Sequence, residues 1–333
     1  MRRAWAALIP LFLAGLLASC GDDGLPTLTV YAGHHPQLME EVMNRFAEQE
    51  GIKVRLRIGD PSSLANAIIE EGENSPADVF ISEGAAALGA LAEEGRLVPL
   101  PADVLEQVPE WARDRDGRWV GFGGRARVLV YNPERVRREE LPQSVFDLTE
   151  PQWRGRVGWA PANPEFQNFV TAMRLLHGED ATRAWLLAMK ENGVREYPNN
   201  ITIVDAVADG EIDVGLVNHY YLYAMRADRG SLNAENFYFT NGDVGGLVNV
   251  SGAGIVDSSD QAELGRRLIE FLLTPEIQAL IAEEGFEYPL VPGAPTPPGA
   301  PAIEELQPPD VDLSALRDLR GTVRLLQETG VLP

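Results

Sequence analysis

Two adjacent tyrosines, Tyr220 and Tyr221, are the residues whose type and spacing most directly suggest chemistry in this chain. They follow an apolar run, residues 212–217, that has the length and composition of a short buried strand of a parallel sheet. Phenolate oxygens are hard donors, and two of them side by side suit a hard, highly charged cation such as ferric iron better than zinc or copper. Adjacent tyrosines also commonly pack near a strand end with their hydroxyls hydrogen-bonded, so the pair alone does not establish a metal site.

Other candidate ligands follow neighbouring predicted strands. His34 and His35 come after the first predicted strand, and Glu83 follows the third. In open α/β sheets, ligands bind in the crevice outside the carboxyl ends of the strands. We therefore expect one of the two histidines, Glu83 and the tyrosine pair to face a single cleft. One imidazole, one carboxylate and two phenolates together form a nitrogen and oxygen site suited to a hard trivalent ion.

The elements that must position these residues alternate between strand and helix. Apolar patterns predict strands at 28–32, 54–58 and 77–81, and helices at 36–50, 62–71, 85–94, 163–173, 181–191, 275–284 and near 313–329. Pro36 begins the first helix and Gly51 ends it. Alternating strands and helices are typical of an α/β protein with a parallel sheet and right-handed crossovers.

The length of the chain predicts more than one domain. At 333 residues it is too long for one ordinary hydrophobic core. Two β-type segments, 119–131 and 246–250, enclose a second set of strand and helix patterns, as in a chain that enters a second domain and returns. We take these segments as a hinge. The predicted units are domain one at 27–125 plus 250–285, domain two at 126–249, and a carboxyl-terminal connector and helix at 286–333 that packs on the body.

The amino terminus has the pattern of an export signal. Met1-Arg2-Arg3 is basic, and residues 4–17 are almost wholly apolar yet too few to span a bilayer as a mature helix. The segment ends in Leu17-Ala18-Ser19-Cys20, which resembles the lipobox of bacterial lipoproteins, and Cys20 is the only cysteine. We predict a lipoprotein signal peptide at 1–19, lipidation at Cys20 and a tether at 20–26. An ordinary signal peptide that contains a cysteine is the alternative.

The charge of the chain restricts its partners. The formal net charge is −22 at pH 7, which argues against nucleic acid and anionic membrane surfaces. Hydrophobic residues make up 45% and charged residues 23%, as in soluble globular proteins. We expect a monomer in the periplasm or at the cell surface that touches the outer face of the cytoplasmic membrane only through its lipid anchor.

Several short motifs occur together and in order along the mature chain. They lie at 30–35, 75–83, 124–132, 210–213, 218–221 and 272–276. With them the chain resembles the ferric-iron-binding proteins of bacterial ABC importers, the FbpA-type branch of the family 1 extracellular solute-binding proteins. The resemblance implies a type II periplasmic-binding-protein fold, in which two α/β domains joined by a two-strand hinge close on one Fe(III) ion. It also implies delivery of the iron to an ABC permease and its ATPase.

The resemblance also implies which residues are ligands. The family's histidine falls on His35 rather than His34, its glutamate on Glu83, and its paired tyrosines on Tyr220 and Tyr221. His34 is then expected to be a solvated neighbour of the site.

In this family an external anion, often phosphate, completes the coordination of the iron. The groups that would hold it fall near Asn163, Glu165, Asn200 and Asn218. Here the chain departs from the family, because Asn163-Pro164-Glu165 replaces the usual Ser-Gly-Ala turn, which removes a backbone N–H and adds a carboxylate. Carbonate, water or Glu165 itself is therefore favoured over phosphate.

We predict supporting roles for two further residues near the site. Arg125 could balance anionic ligands across the cleft, although arginines beside a hinge are also commonly paired at the surface. His219, beside the tyrosines, is expected to be structural or to lie just behind the ligands.

Two other functions remain open. A binding protein of the same fold for thiamine, a polyamine or an organic anion would also use an aromatic and acidic cleft, although the coincidence of His35 with Glu83 argues against it. A metal-dependent hydrolase would use His34, His35 and Glu83. The sequence contains no HExxH helix, nucleophile elbow or P-loop, and adjacent histidines point apart in an extended chain, so we predict no catalytic residue.

Overall fold

The structure, a computed structural model, describes residues 24–333 of the chain. The predicted signal peptide at 1–19 and the predicted lipidation at Cys20 lie outside the described residues. Between residues 24 and 333, no helix is both long and apolar enough to cross a membrane.

The strands between residues 24 and 333 belong to one ten-stranded sheet. They are β1 (Thr27–Gly33), β2 (Lys53–Ile58), β3 (Val79–Ser82), β4 (Val120–Tyr131), β5 (Val157–Trp159), β6 (Arg195–Glu196), β7 (Val214–Asn218), β8 (Glu235–Phe237), β9 (Val248–Ile255) and β10 (Tyr288–Pro289). Their spatial order is β2-β1-β3-β9-β4-β7-β5-β6, and β8 and β10 pair with β4. Strands β1 to β3 are parallel, as are β5 to β7, which confirms the predicted α/β class.

Strand β4 connects the two parallel sets. Its residues 120–126 pair antiparallel with β9, and its residues 127–131 pair antiparallel with β7. The predicted hinge segments, 119–131 and 246–250, thus correspond to β4 and to the start of β9. The domain bounds drawn from them remain a prediction.

The helices lie between and after these strands. They are α1 (Pro36–Glu50), α2 (Pro61–Glu71), α3 (Ala85–Glu93), α4 (Ala102–Leu105), α5 (Pro164–His177), α6 (Glu179–Glu191), α7 (Asn200–Ala208), α8 (His219–Arg229), α9 (Ala262–Leu272), α10 (Pro275–Glu284) and α11 (Leu319–Glu328). The bounds predicted for α1 and α10 are those of the structure. Proline at the first position begins both helices, as the sequence indicates.

The predicted single helix near 313–329 is wrong. A 3-10 turn at Leu313–Arg317 precedes α11, and the helical conformation is interrupted between them at Asp318. The Asp318 side chain accepts a hydrogen bond from the Gly321 N–H and so caps α11. A local cap therefore interrupts a continuous amphipathic pattern.

The carboxyl-terminal segment contacts helices that flank both sets of strands. The backbone of Ser314 lies directly over Gly89 of α3, where a side-chain Cβ would collide with it. Thr322 of α11 forms a hydrogen bond of 2.6 Å with Thr171 of α5. The segment thus links α3, which follows β3, to α5, which follows β5.

Apolar packing fixes the end of β7, where the paired tyrosines begin. Val128 of β4, Val204 of α7, Val217 of β7 and Leu222 of α8 are fully buried in one cluster. Because the first turn of α8 is held by this cluster, the positions of the tyrosine side chains follow from the packing of the sheet.

Candidate metal centre

A cleft of about 250 Å³ gathers most of the predicted site residues. It lies where β3, α5 and α8 meet the middle of β4. Its lining residues are Asp60, Pro61, Ser62, Ser82, Glu83, Gly84, Ala86, Ala87, Arg125, Asn163, Pro164, Glu165, Asn168, Tyr220, Tyr221 and Leu319. The oxygen donors that it brings together are therefore phenols and carboxylates from both parallel sets.

Tyr220 and Tyr221 occupy the first turn of α8, directly after β7. Their ring centroids are 4.3 Å apart. The Tyr220 hydroxyl accepts a hydrogen bond of 2.6 Å from Nη2 of Arg125, whose guanidinium also lies 4.9 Å from the centre of the Tyr220 ring. Burial raises the pKa of Tyr220 well above its ordinary value, although Arg125 opposes this. Tyr220 is therefore a neutral phenol until a stronger cation displaces its proton.

His219 lies beside the tyrosines but is buried and does not line the cleft. Its ring is fully buried, stacks on Tyr288 at 4.7 Å, and accepts a hydrogen bond at Nδ1 from the Ala126 N–H. Burial lowers the pKa of His219 to about 3, so the imidazole is neutral at physiological pH. It fixes the start of α8 against β4 and β10.

Glu83 lies on the opposite wall, just after β3. Its backbone N–H donates to the Gly33 carbonyl at 2.8 Å, which holds the end of β3 beside the end of β1. Its Oε1 is 3.3 Å from Nη2 of Arg125, and 39% of its side chain is exposed. The carboxylate therefore faces the cleft and remains accessible to a metal ion.

The two adjacent histidines have different environments. His34, which was expected to be solvated, is buried, and that prediction is wrong. Its Nε2 lies 3.1 Å from Oγ of Ser251 and 3.2 Å from Oε1 of Glu287, because the chain bends after β1 and directs the ring inward. His35 is exposed at the amino end of α1 and is not among the residues that line the cleft. Its role as a ligand stays a prediction.

Arg125 is the central charge of the cleft. Only 1% of its side chain is exposed, and three carboxylates surround it, with Nη2 at 3.3 Å from Glu83, Nη1 at 3.2 Å from Glu165 and Nε at 3.8 Å from Glu287. Nη1 also donates a short hydrogen bond to the Glu83 carbonyl. Burial opposes the charge of Arg125, but the carboxylates outweigh it and raise its pKa well above the ordinary value. Arg125 is therefore a permanent cation that already contacts two predicted metal ligands.

The residues predicted to hold an anion are arranged at the start of α5 and the end of β7. Asn163 caps α5 and accepts from the Glu165 N–H at 2.9 Å. The Glu165 carboxylate accepts from Arg125 at 3.2 Å and from Asn218 at 3.4 Å. Glu165 thus occupies the position in which its arginine and amide partners would bind a free anion.

A second buried arginine lies behind this group. Arg127 donates to Oδ1 of Asn218 at 3.1 Å, and its Nε and Nη2 have no hydrogen-bond partner among the described residues. Burial lowers the pKa of Arg127 to about 10, so it keeps its charge at neutral pH. Asn200 is also buried and lacks side-chain partners in this part of the chain, but it does not line the cleft.

Any metal site in this cleft needs the tyrosines as ligands. Between residues 24 and 333, no three His, Cys, Asp or Glu side chains are grouped so that they could hold a metal ion. His34, a ligand in the hydrolase alternative, is instead paired with Ser251 and Glu287. The donors gathered in the cleft match a phenol-rich site more closely than a hydrolytic one.

Sequence reasoning missed the buried partners behind the cleft. Glu287 and Ser251 contact His34, and Oδ1 of Asn249 accepts from the Ala85 N–H at 3.2 Å. These residues lie far along the chain from their partners and belong to no local motif. Their only sequence signal is a polar residue inside an apolar strand pattern, as at Asn249 and Ser251 of β9.

Comparisons with known proteins show what the chain as a whole is similar to. The family model of bacterial extracellular solute-binding proteins matches residues 74–313. The chain is 36% identical over 321 residues to the Fe(3+)-binding periplasmic protein of Serratia marcescens, across 96% of this chain and 94% of the relative. It is 35% identical over 328 residues to the major ferric iron-binding protein of Neisseria meningitidis serogroup B, across 96% and 97%.

A solved structure supports the fold over the same length. Iron-bound HitA from Pseudomonas aeruginosa matches with a TM-score of 0.83 and 36% identity, across 91% of this chain and 99% of that one. The match confirms the predicted type II periplasmic-binding-protein fold, and the relatives confirm the resemblance to ferric-iron-binding proteins. The chain belongs to the family of bacterial extracellular solute-binding proteins.

Proposed function

We propose that this chain captures Fe(III) in the cleft between Glu83 and the tyrosine pair and delivers it to an ABC importer. The observation that carries the proposal is the meeting of Tyr220, Tyr221 and Glu83 around one cavity. Two phenols and a carboxylate match the preference of a hard trivalent ion for oxygen donors. The names of the relatives from Serratia and Neisseria support the same ligand.

The metal itself ionises the tyrosines. Metal ligands bind in their deprotonated form, and a bound cation reverses the effect of burial on the pKa of a neighbouring group. Tyr220 therefore gives up its proton when iron binds, although burial alone keeps it neutral. Two phenolates and one carboxylate balance the charge of Fe(III) within the site.

His35 is proposed as the further ligand, in the half of the site that also supplies Glu83. It is exposed at the start of α1, and like Glu83 it follows the carboxyl end of one of two adjacent parallel strands. A ligand that bridges both halves stabilises the closed form relative to the open form, because only the closed form makes all of the contacts. In this proposal iron supplies that difference in affinity.

The anion that completes the coordination is proposed to be internal or small. Glu165 already receives hydrogen bonds from Arg125 and Asn218. Pro164 lacks the N–H that a phosphate would require at the start of α5. Glu165 itself, carbonate or water is therefore favoured over phosphate, with Arg127 as the nearby positive charge.

Delivery requires partners outside the chain. The family binds solutes for transport, and this chain is proposed to pass iron to a permease and its ATPase without catalysing a reaction. A lipid at Cys20 would hold the monomer close to the permease.

A second candidate ligand is a small organic anion. The guanidinium groups of Arg125 and Arg127 are buried beside the cleft, and Nε and Nη2 of Arg127 have no hydrogen-bond partner among the described residues, so they are donors that a negative ligand can use. In that case Tyr220 would donate a hydrogen bond as a neutral phenol. Iron would displace the proton of the Tyr220 hydroxyl, whereas an organic anion would leave it in place.

The test is a visible spectrum of the chain from Gly21 onward, stripped with chelator at low pH and supplied with Fe(III) as a weak chelate. Tyrosinate bound to Fe(III) gives a broad charge-transfer band, which the double variant Tyr220→Phe/Tyr221→Phe should lose. Tyr223→Phe is the matched control, because Tyr223 lies on the same helix but bonds to Tyr238 and Gly299. A chain without the band, with or without phosphate or carbonate, would contradict iron binding and favour the organic anion.

A further inference from the structure

A buried carboxylate outside the cleft contacts the central arginine. Glu287 lies two residues after Gly285, at the end of α10, and only 4% of its side chain is exposed. Its Oε1 lies 3.8 Å from Nε of Arg125 and 3.2 Å from Nε2 of His34. It does not line the cleft, whereas Glu83 and Glu165 do.

The backbone around Glu287 is shaped to admit this side chain. Phe286 has a φ of 53°, which is uncommon for a residue with a bulky side chain. Gly123, at the irregular pairing of β4 with β9, lies beneath the carboxylate, and a Cβ at Gly123 would collide with Oε2 of Glu287. Two unusual backbone features thus place one buried charge against Arg125.

Iron binding changes the electrostatic environment of Arg125. Before iron binds, Arg125 donates to the Tyr220 hydroxyl at 2.6 Å and lies 3.3 Å from Glu83. Both groups are proposed iron ligands, so their electron density moves to the metal when iron binds. Glu165 lines the cleft and can also turn to the metal. Glu287 is then the one of the three carboxylates around Arg125 that lies outside the cleft, and it stays beside the arginine as an ion pair without a hydrogen bond.

We propose that Glu287 is a positioning residue of the iron site, which acts by compensating the charge of the Arg125 guanidinium beside the phenolate and carboxylate that bind the metal. The proposal rests on the proposed Fe(III) site. Without the charge of Glu287, Arg125 competes more strongly with iron for Tyr220 and Glu83. Partners of this kind behind metal ligands change affinity by about 10- to 100-fold when they are substituted.

The test is Glu287→Gln in the chain from Gly21 onward, because glutamine keeps the shape and removes the charge. We expect iron affinity, measured by competition with citrate, to fall about 10- to 100-fold. We also expect the charge-transfer band to move to shorter wavelength, since a stronger hydrogen bond from Arg125 stabilises the Tyr220 phenolate. Asp78→Asn is the matched control: Asp78 is also buried, but it binds the Thr29 N–H and Ser259.

A double-mutant cycle with Arg125→Gln separates positioning from general packing. If Glu287 acts through Arg125, Glu287→Gln should have no further effect on iron affinity in the Arg125→Gln background. Equal effects in both backgrounds, or an unchanged affinity and band in Glu287→Gln, would overturn the proposal. Should Glu287→Gln not fold, Glu287→Asp replaces it: the shorter side chain withdraws the carboxylate from Arg125, so a smaller shift in the same direction is expected, and an unchanged band is the contrary result. A wild-type chain without a band would instead refute iron binding itself.

Discussion

Iron binding by Tyr220 and Tyr221 should release protons, and the number of protons reports how many phenols bind the metal. Burial raises the pKa of Tyr220, so its hydroxyl is protonated at neutral pH in the iron-free chain. A phenol that becomes a phenolate ligand gives its proton to the solvent. Higher pH therefore favours the bound state, and iron affinity falls as the pH is lowered.

The size of the effect follows from the proton count. Each proton released changes the apparent association constant about tenfold per pH unit, or about 1.4 kcal/mol. Two phenols therefore give a change of about 100-fold per unit near neutral pH. Arg125 adds nothing to this slope, because the carboxylates around it outweigh burial and raise its pKa further. With either tyrosine replaced by phenylalanine, the change should be about tenfold.

The assay is competition for Fe(III) against a chelator whose own proton dependence is known, repeated across neutral pH. Tyr220→Phe and Tyr221→Phe are compared with Tyr223→Phe, whose hydroxyl bonds to Tyr238 and Gly299 and should keep the wild-type slope. A wild-type slope of one proton or fewer would refute binding by two phenolates. A slope that stays the same in Tyr220→Phe would refute the role of that residue.

Three further outcomes are expected. Glu165→Ala should make iron binding depend on phosphate, by about tenfold or more, since a free anion regains the Arg125 and Asn218 donors that Glu165 now occupies; titration with phosphate checks this, and an affinity that does not change with phosphate would contradict it. Gly89→Ala should lower the free energy of unfolding in urea by about 1 to 3 kcal/mol, because its Cβ would collide with the carboxyl-terminal turn; an unchanged midpoint would contradict that contact. Burial opposes the charge of Asp213, but Arg135 and Arg156 outweigh it and lower the pKa of the carboxyl, so its contribution to stability is lost as the pH falls through that lowered pKa. Asp213→Asn should therefore cost about 1 to 3 kcal/mol in urea at pH 7 and less in acid; an equal cost at both pH values would contradict it.

The regular elements could be predicted where the signals are local. Proline at the first position and glycine just after the last position mark α1, and the same signals mark α10. The break at Asp318 was missed because the apolar spacing continues through it, and only the side-chain cap of α11 interrupts the helix. The hinge strand β4 could be predicted because one long β-type pattern has to pair with strands on both sides of the hinge.

The candidate site was predictable in part for a topological reason. Strands β3 and β7 run in opposite directions, and the carboxyl ends of both point toward the middle of β4. Glu83 therefore meets Tyr220 and Tyr221 across the cleft at that point. The environment of His34 did not follow, because its partners Ser251 and Glu287 come more than two hundred residues later. Burial of one of two adjacent histidines depends on such distant packing, which local pattern does not contain.

The central claim is that Fe(III) is held by Tyr220, Tyr221 and Glu83, and a crystal structure of the iron-loaded chain tests it most directly. Anomalous difference maps recorded on both sides of the iron absorption edge locate the metal without reference to the protein. The account predicts one iron peak in the cleft, bonded to both tyrosine oxygens, the Glu83 carboxylate and the His35 imidazole. An iron peak elsewhere, or one in the cleft without bonds to the tyrosines, would contradict it.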